Sequence, residues 1–217
     1  MVWGSFGHFV ICVSISASST IIRHIESMEA ATVSITYFYF DFRDDKKRNR
    51  RGLLASLLVQ FGARSDDCCD ILSRLHAAHG DGLRQPTDQT LLACLREMLT
   101  VEKLGATYII VDAIDECPTI SGTPSAREQV LDLVTDLVNL RNPKLHLCVT
   151  SRLEADVRTV LLPLVSHLVS LHEEMGQMKD INNYISFFVN SDKTMSQWRK
   201  DDRDLVINKL RQEAAGM

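Results

Sequence analysis

Residues Ala106 to Val111 read Ala-Thr-Tyr-Ile-Ile-Val and run into Asp112, with Asp115 and Glu116 close behind. An apolar run of this length, without polar alternation, fits a strand buried on both faces of a parallel sheet, because an antiparallel sheet with one wet face would alternate. Such a sheet needs crossover helices on its faces, so this one segment already confines the chain to an α/β architecture. Open sheets of that kind bind ligands at the carboxyl ends of their strands, which is where the three carboxylates fall. A second apolar segment, Leu145 to Val149, ends in the polar triplet Thr150-Ser151-Arg152.

Composition narrows the possibilities. The 217 residues suit one α/β domain, or one domain with part of a second. Net charge is −4, which gives no bulk electrostatic reason to expect a nucleic-acid partner. No apolar run reaches the roughly 18 residues that cross a bilayer, so no membrane partner is expected. The six cysteines form no C-x-x-C pair and sit in segments that read as strand or helix. They are read as reduced, buried thiols of a cytoplasmic protein. Cys68, Cys69, His76 and His79 match no standard zinc spacing, and a core helix is the preferred reading. Met1 to Ser19 lacks the positive n-region of a signal peptide, and Phe9 to Val13 reads better as a first buried strand.

Along the chain, strand-like and helix-like segments alternate. Val33 to Phe40 reads as a strand, followed by the charged connection Asp41 to Arg51. Leu53, Leu54, Leu57, Leu58 and Phe61 share a helical face, and Leu91, Leu92, Leu95, Met98 and Leu99 share another, with Pro86 and Thr87 at its start. Thr123 reads as an N-cap with Pro124 in the first helical position, ahead of a stripe through Val130, Val134, Leu137, Val138 and Arg141. Further segments are a helix at about Ala155 to Leu162, a strand from His167 to Leu171, a helix capped by Asp180, and a helix from Trp198 to Gln212. The polar stretch Glu173 to Lys179 marks a domain boundary. The chain stops directly after a helix, as a piece of a larger helical region would.

The chemistry suggested by these groups is specific. Asp112, ending its strand, is the candidate ligand of a Mg²⁺ ion. Asp115 and Glu116 are candidates to orient or deprotonate a water attacking a phosphoanhydride. Arg152, always charged and planar, with Thr150 beside it, is the candidate contact to a terminal phosphate. The competing reading is that Asp115 and Glu116 only cap the turn after the strand. A phosphatase using an Asp-x-Asp pair fits poorly, since the spacing here is Asp-x-x-Asp. The run Lys46-Lys47-Arg48-Asn49-Arg50-Arg51 reads as a solvated loop in preference to a nuclear localisation signal or anion patch.

Taken in order, Ser19-Thr20-Ile21-Ile22-Arg23-His24-Ile25, Tyr37-Phe38-Tyr39-Phe40-Asp41-Phe42, Arg51-Gly52-Leu53-Leu54, Tyr108 to Cys117 and Val149-Thr150-Ser151-Arg152 resemble the NACHT domains of the STAND class of P-loop NTPases. Within that class they are most similar to the fungal nephrocystin-3-like N-terminal type. The resemblance implies a three-layer α/β/α parallel sheet of the P-loop NTPase (ASCE) type, followed by the start of a small helical domain. It divides the chain into an atypical segment 1–18 replacing the phosphate-loop region, a nucleotide-binding core 19–175, and a partial helical domain 176–217. It implies Walker B character for Asp112, with Asp115 and Glu116 catalytic. It also implies Mg²⁺ with ATP or GTP as cofactor, a switch-like role in signal transduction, and protein partners reached through the helical region or through repeat domains outside this chain.

One part of the pattern is missing. No glycine in the chain is followed by lysine. Counting back from Ser19 by the family's offset puts His8 and Val13 at the glycine positions, Ser14 at the lysine and Ile15 at the magnesium-binding hydroxyl. The glycines of such a loop let backbone N–H groups turn inward as an anion nest, which a Cβ on Val13 obstructs. Without the nest and the lysine, the expectation is weak nucleotide binding or none. The sheet is then expected to lack its usual first strand and loop. Alternatives are a catalytically dead interaction scaffold and a gene-model fragment.

Overall fold

The short segments richest in Val, Ile and aromatic residues form parallel strands in a computed structural model that describes residues 9–12, 17–27, 33–119, 124–152, 154–169 and 175–214. The strands are β1 (Phe9–Cys12), β2 (Val33–Tyr39), β3 (Ala106–Asp112), β4 (Leu145–Thr150) and β5 (His167–Val169). They form one five-stranded sheet in the order β2-β3-β4-β1-β5, with every neighbouring pair parallel. The strand read at Phe9 to Val13 is therefore present as β1 and lies between β4 and β5, which corrects the alternative expectation that the sheet lacks its first strand. Its register, Cys12 opposite Thr150 and Val169, explains why: a run of Phe-Val-Ile-Cys is strand-forming wherever two parallel neighbours bracket it.

Connections between parallel strands are right-handed. The chain leaves β1 toward the far edge at β2, then works back through β3 and β4 to β5. The first connecting helix and the later ones must therefore lie on opposite faces. Burial agrees. Ile22 and Ile25 of α1 (Ala17–Glu26) pack with Ile35 and Ile110 on one face. On the other face, Phe38, Ile109, Val111, Leu145, Leu147 and Val149 form the main core with α2 (Arg50–Gly62), α3 (Asp66–Ala78), α4 (Asp88–Met98), α5 (Ala126–Asn139) and α6 (Ala155–Leu161). The result is the expected three-layer α/β/α parallel sheet. The predicted helical faces are the ones buried: Leu53, Leu54, Leu57 and Phe61 of α2 are completely inaccessible.

Several local expectations need correcting. The helix after β3 is capped by Ser125, whose hydroxyl accepts from Glu128 N while the Glu128 carboxylate accepts from Ser125 N, a complete capping box. Thr123 lies outside the described residues. Arg141 adopts a left-handed φ of 48° just past α5, so it ends the helix instead of extending its stripe. Strand β5 is described over His167–Val169, and Ser170 and Leu171 lie outside the described residues. Cys68 is buried in the core and Cys69 is exposed, as successive positions on a helix must be, so they cannot share a metal. The basic run after β2 is largely neutralised internally: Arg48 pairs with Asp45, Lys47 lies 3.8 Å from Asp44, and Arg51 lies 2.9 Å from Asp88.

The chain divides into two compact units, Met1–Val169 and Ser170–Met217. The second is helical, with α7 (Met175–Ser191), a short turn at Met195–Gln197 and α8 (Lys200–Ala214). Helix α7 starts five residues before Asp180, which is therefore interior and not a cap; Gln177, Met178 and Lys179 are all good helix formers. Trp198 precedes α8 and ends the short turn. Arg211 donates to Ser186 Oγ at 2.8 Å, joining α8 to α7. Among the described residues no helix is long and apolar enough to cross a membrane.

Candidate functional site

Strands β1 and β4 are neighbours whose outgoing helices lie on opposite faces. That is a topological switch point, and it opens a crevice outside their carboxyl ends. Thr150 sits at the crevice, level with Cys12 of β1, and β3 brings Asp112 alongside. The structure thus gathers the predicted residues at one rim of the sheet.

Asp112 and Thr150 are both buried, and the Thr150 hydroxyl donates to Asp112 Oδ1. The same hydroxyl accepts from Ala113 N at 2.9 Å. That contact fixes a sharp turn, because Ala113 has φ 60° and ψ 50°, a left-handed conformation that a Cβ disfavours. The turn aims Asp115 back toward β4. There its nearly buried carboxylate accepts from Arg152 N at 3.1 Å and lies 3.5 Å from Arg152 Nε. The Arg152 side chain is 76% exposed, so its guanidinium reaches outward from the rim. Glu116 turns the other way and accepts from Phe42 N at 3.2 Å, tying the segment after β2 to the rim. Asp112 O accepts from Phe40 N at 3.0 Å at the same place. Burial, followed by the nearby Asp112 charge, raises the pKa of the Tyr39 phenol.

Arg127 is a functional-site residue that the sequence reading missed. This residue, in the first turn of α5, is buried and contacts two backbone carbonyls and two carboxylates. Its Nε donates to Cys117 O at 2.9 Å and its Nη2 to Asp115 O at 2.5 Å. Its Nη1 pairs with Glu154 and lies 3.3 Å from Asp156 Oδ2. One guanidinium therefore joins the acidic turn after β3 to the segment after β4. A clue existed: a cation in the first helical turn opposes the helix dipole, so it needs a specific partner. Beside it, the Cys117 thiol donates to Arg48 O at 3.1 Å, and burial pushes its pKa up to about 11.

Residues 13–16, between β1 and α1 in the sequence, read Val-Ser-Ile-Ser. A phosphate loop of the Gly-x-x-x-x-Gly-Lys-Ser/Thr kind has two glycines and a lysine in this part of the chain. In the offset count, residues 9–12 fall at loop positions, yet they are strand. Among the described residues no three His, Cys, Asp or Glu side chains converge to hold a metal. Asp112 lies at the rim, and Arg152, paired with Asp115, is a cation at the same rim.

Comparison with known proteins adds a family. No curated protein sequence matches. Among solved structures, the Walker-type ATPase PABY2304 of Pyrococcus abyssi is similar at TM-score 0.44 and 11% identity, over 93% of this chain and 57% of that one. A chain of the Drosophila ORC–DNA complex is similar at TM-score 0.39 and 13% identity, over 94% of this chain and 46% of that one. This chain therefore spans about half the length of those it matches. The family model described as nephrocystin 3, N-terminal, matches residues 15–152, more than half of the chain, from the start of α1 to Arg152. The protein thus belongs to the nephrocystin 3 N-terminal family.

Proposed function

We propose that this chain is a NACHT-type signalling module that retains the acidic rim of a nucleotide switch but binds nucleoside triphosphate weakly. The carrying observation is in the sequence: residues 13–16, between β1 and α1, hold neither glycine nor lysine, and no glycine in the chain is followed by lysine. Hydrogen bonds to charged groups contribute about 1.5–3 kcal/mol each, so losing the nest and the lysine removes about 5 kcal/mol or more. That moves a micromolar ligand toward roughly 10 mM. In this reading Asp112 is the remnant metal ligand, Thr150 and Arg152 the remnant phosphate contacts, and Asp115 and Glu116 the remnant water-handling pair. Isothermal titration with Mg-ATP and Mg-GTP is expected to show no binding below about 1 mM. A low-micromolar dissociation constant would overturn the proposal.

A second reading is favoured by a separate observation. Asp115 and Glu116 each accept a backbone N–H through one carboxylate oxygen, from Arg152 and Phe42. In this reading the two carboxylates serve the frame of the rim, as in an interaction scaffold that acts through protein partners and performs no hydrolysis. Under this reading, Asp115→Asn and Glu116→Gln lower the melting temperature without altering any trace nucleotide turnover. A turnover that these variants abolish would instead point to a working NTPase.

A further inference from the structure

Strand β2 is the outermost strand on its side of the sheet among the described residues. Phe40 N donates inward to Asp112 O, and backbone groups alternate along a strand, so those of Ile35, Tyr37 and Tyr39 point to the outer edge. At Tyr37 that edge is met by a side chain. Gln60 of α2 accepts from Tyr37 N through Oε1 at 3.0 Å and donates to Tyr37 O through Nε2 at 2.8 Å. Its Nε2 also lies 3.0 Å from Ser56 Oγ. A carboxamide has the donor and acceptor of a peptide unit, so Gln60 stands where one residue of a sixth strand would stand.

The contact opens onto a cleft of about 510 Å³ between β2 and α2, lined among others by Tyr37, Tyr39, Lys47, Gln60 and Arg64. Tyr37 and Tyr39 are more than a third exposed and their rings lie 5.6 Å apart. Among the described lining residues are two cations and no carboxylate. Lys47 sits beside Asp44, 3.8 Å away in an exposed pair, and near the Asp41 carboxylate, so it is shared between exposed groups and not locked to one. A groove between an edge strand and a helix is the geometry of strand addition, in which main-chain bonds give affinity and flanking side chains give specificity.

We propose that the β2–α2 cleft is a docking groove for an extended acidic segment of a partner protein, which adds to β2 as a parallel or antiparallel strand and displaces Gln60 from Tyr37. Lys47 and Arg64 receive its carboxylates, and the Tyr37 and Tyr39 rings cover its apolar side chains. One end of the groove reaches the rim, where Tyr39 lies in register with Asp112, and the other end runs along β2 away from it.

The test is selection of phage-displayed random heptapeptides on the full chain, with and without Gln60→Ala. Recovered peptides are expected to be rich in Asp and Glu alternating with apolar residues, without central proline. Bound peptide should slow amide hydrogen exchange at Ile35, Tyr37 and Tyr39. Gln60→Ala removes the internal competitor and should tighten binding roughly tenfold, the worth of one or two ordinary hydrogen bonds. Lys47→Glu combined with Arg64→Glu should abolish binding of the same peptides while leaving the melting temperature unchanged. If Gln60→Ala proves too unstable, Gln60→Met, of equal length and without the amide, makes the same comparison. Failure to enrich any peptide, enrichment of basic or proline-rich peptides, or exchange protection away from β2 would each overturn the proposal.

Discussion

Two residues hold the rim of the sheet together. Thr150 links Asp112 to the left-handed turn at Ala113, and Arg127 links that turn to Glu154 and Asp156. The guanidinium is buried, whereas both carboxylates remain partly in water, so removing the cation leaves the carbonyls of Asp115 and Cys117 without a buried donor more than it strands two charges. Arg127→Met is therefore expected to cost about 3 kcal/mol, the low end of the range for breaking a buried ion pair. Urea denaturation measures it, and a loss below about 1 kcal/mol would show that water replaces the guanidinium. The Asp112 and Thr150 positions were legible because an apolar run that stops at a polar residue marks a strand end. Arg127 was not, since its partners are 12, 27 and 29 residues away along the chain.

At the scale of elements, the motif Arg51-Gly52-Leu53-Leu54 has a structural account. Arg51 donates to Pro86 O and Asp88 Oδ1, both at 2.9 Å, which fastens α2 to the start of α4. Leu53 and Leu54 are fully buried. Gly52 lies against the preceding turn: a Cβ there would meet Lys46 O at 1.8 Å, and Asn49 Oδ1 caps Gly52 N at 2.9 Å. A glycine in a helix normally gives way to alanine with a gain of about 1 kcal/mol. Here the sign reverses, and Gly52→Ala is expected to destabilise by about 3 kcal/mol, as overpacking against backbone does. A thermal melt of the variant at or above wild type would contradict this. The helical faces of α2 and α4 could be read from spacing alone, because burial of a stripe is a local pattern. Helix ends were less legible: Ser125 and Asp180 show that choosing among nearby polar residues for a cap depends on which backbone N–H the chain leaves open.

Across the whole molecule, the two units differ in how much they bury. The first carries both apolar clusters, whereas the second, among its described residues, buries only Val189 and Ile207 and leaves Tyr184, Phe187 and Leu205 about two-thirds exposed. A chain of fewer than about 70 residues seldom has a core large enough to fold unaided. Residues 170–217 alone are accordingly expected to show weak helicity by circular dichroism and no cooperative melt, whereas residues 1–169 melt cooperatively. A sharp transition in the shorter piece would refute this. By itself the sequence determined that the protein is an α/β sheet with carboxylates at one strand end, and that no glycine in this chain is followed by lysine, because periodicity and motif spacing are properties of neighbouring residues. Only the tertiary structure decided that Phe9–Cys12 completes the sheet beside Thr150, that Asp115 and Glu116 are engaged by backbone N–H groups, and that Gln60 occupies the open edge of β2. Those facts arise from strand order and crossover handedness, which join residues far apart in the chain and leave no periodic trace in it.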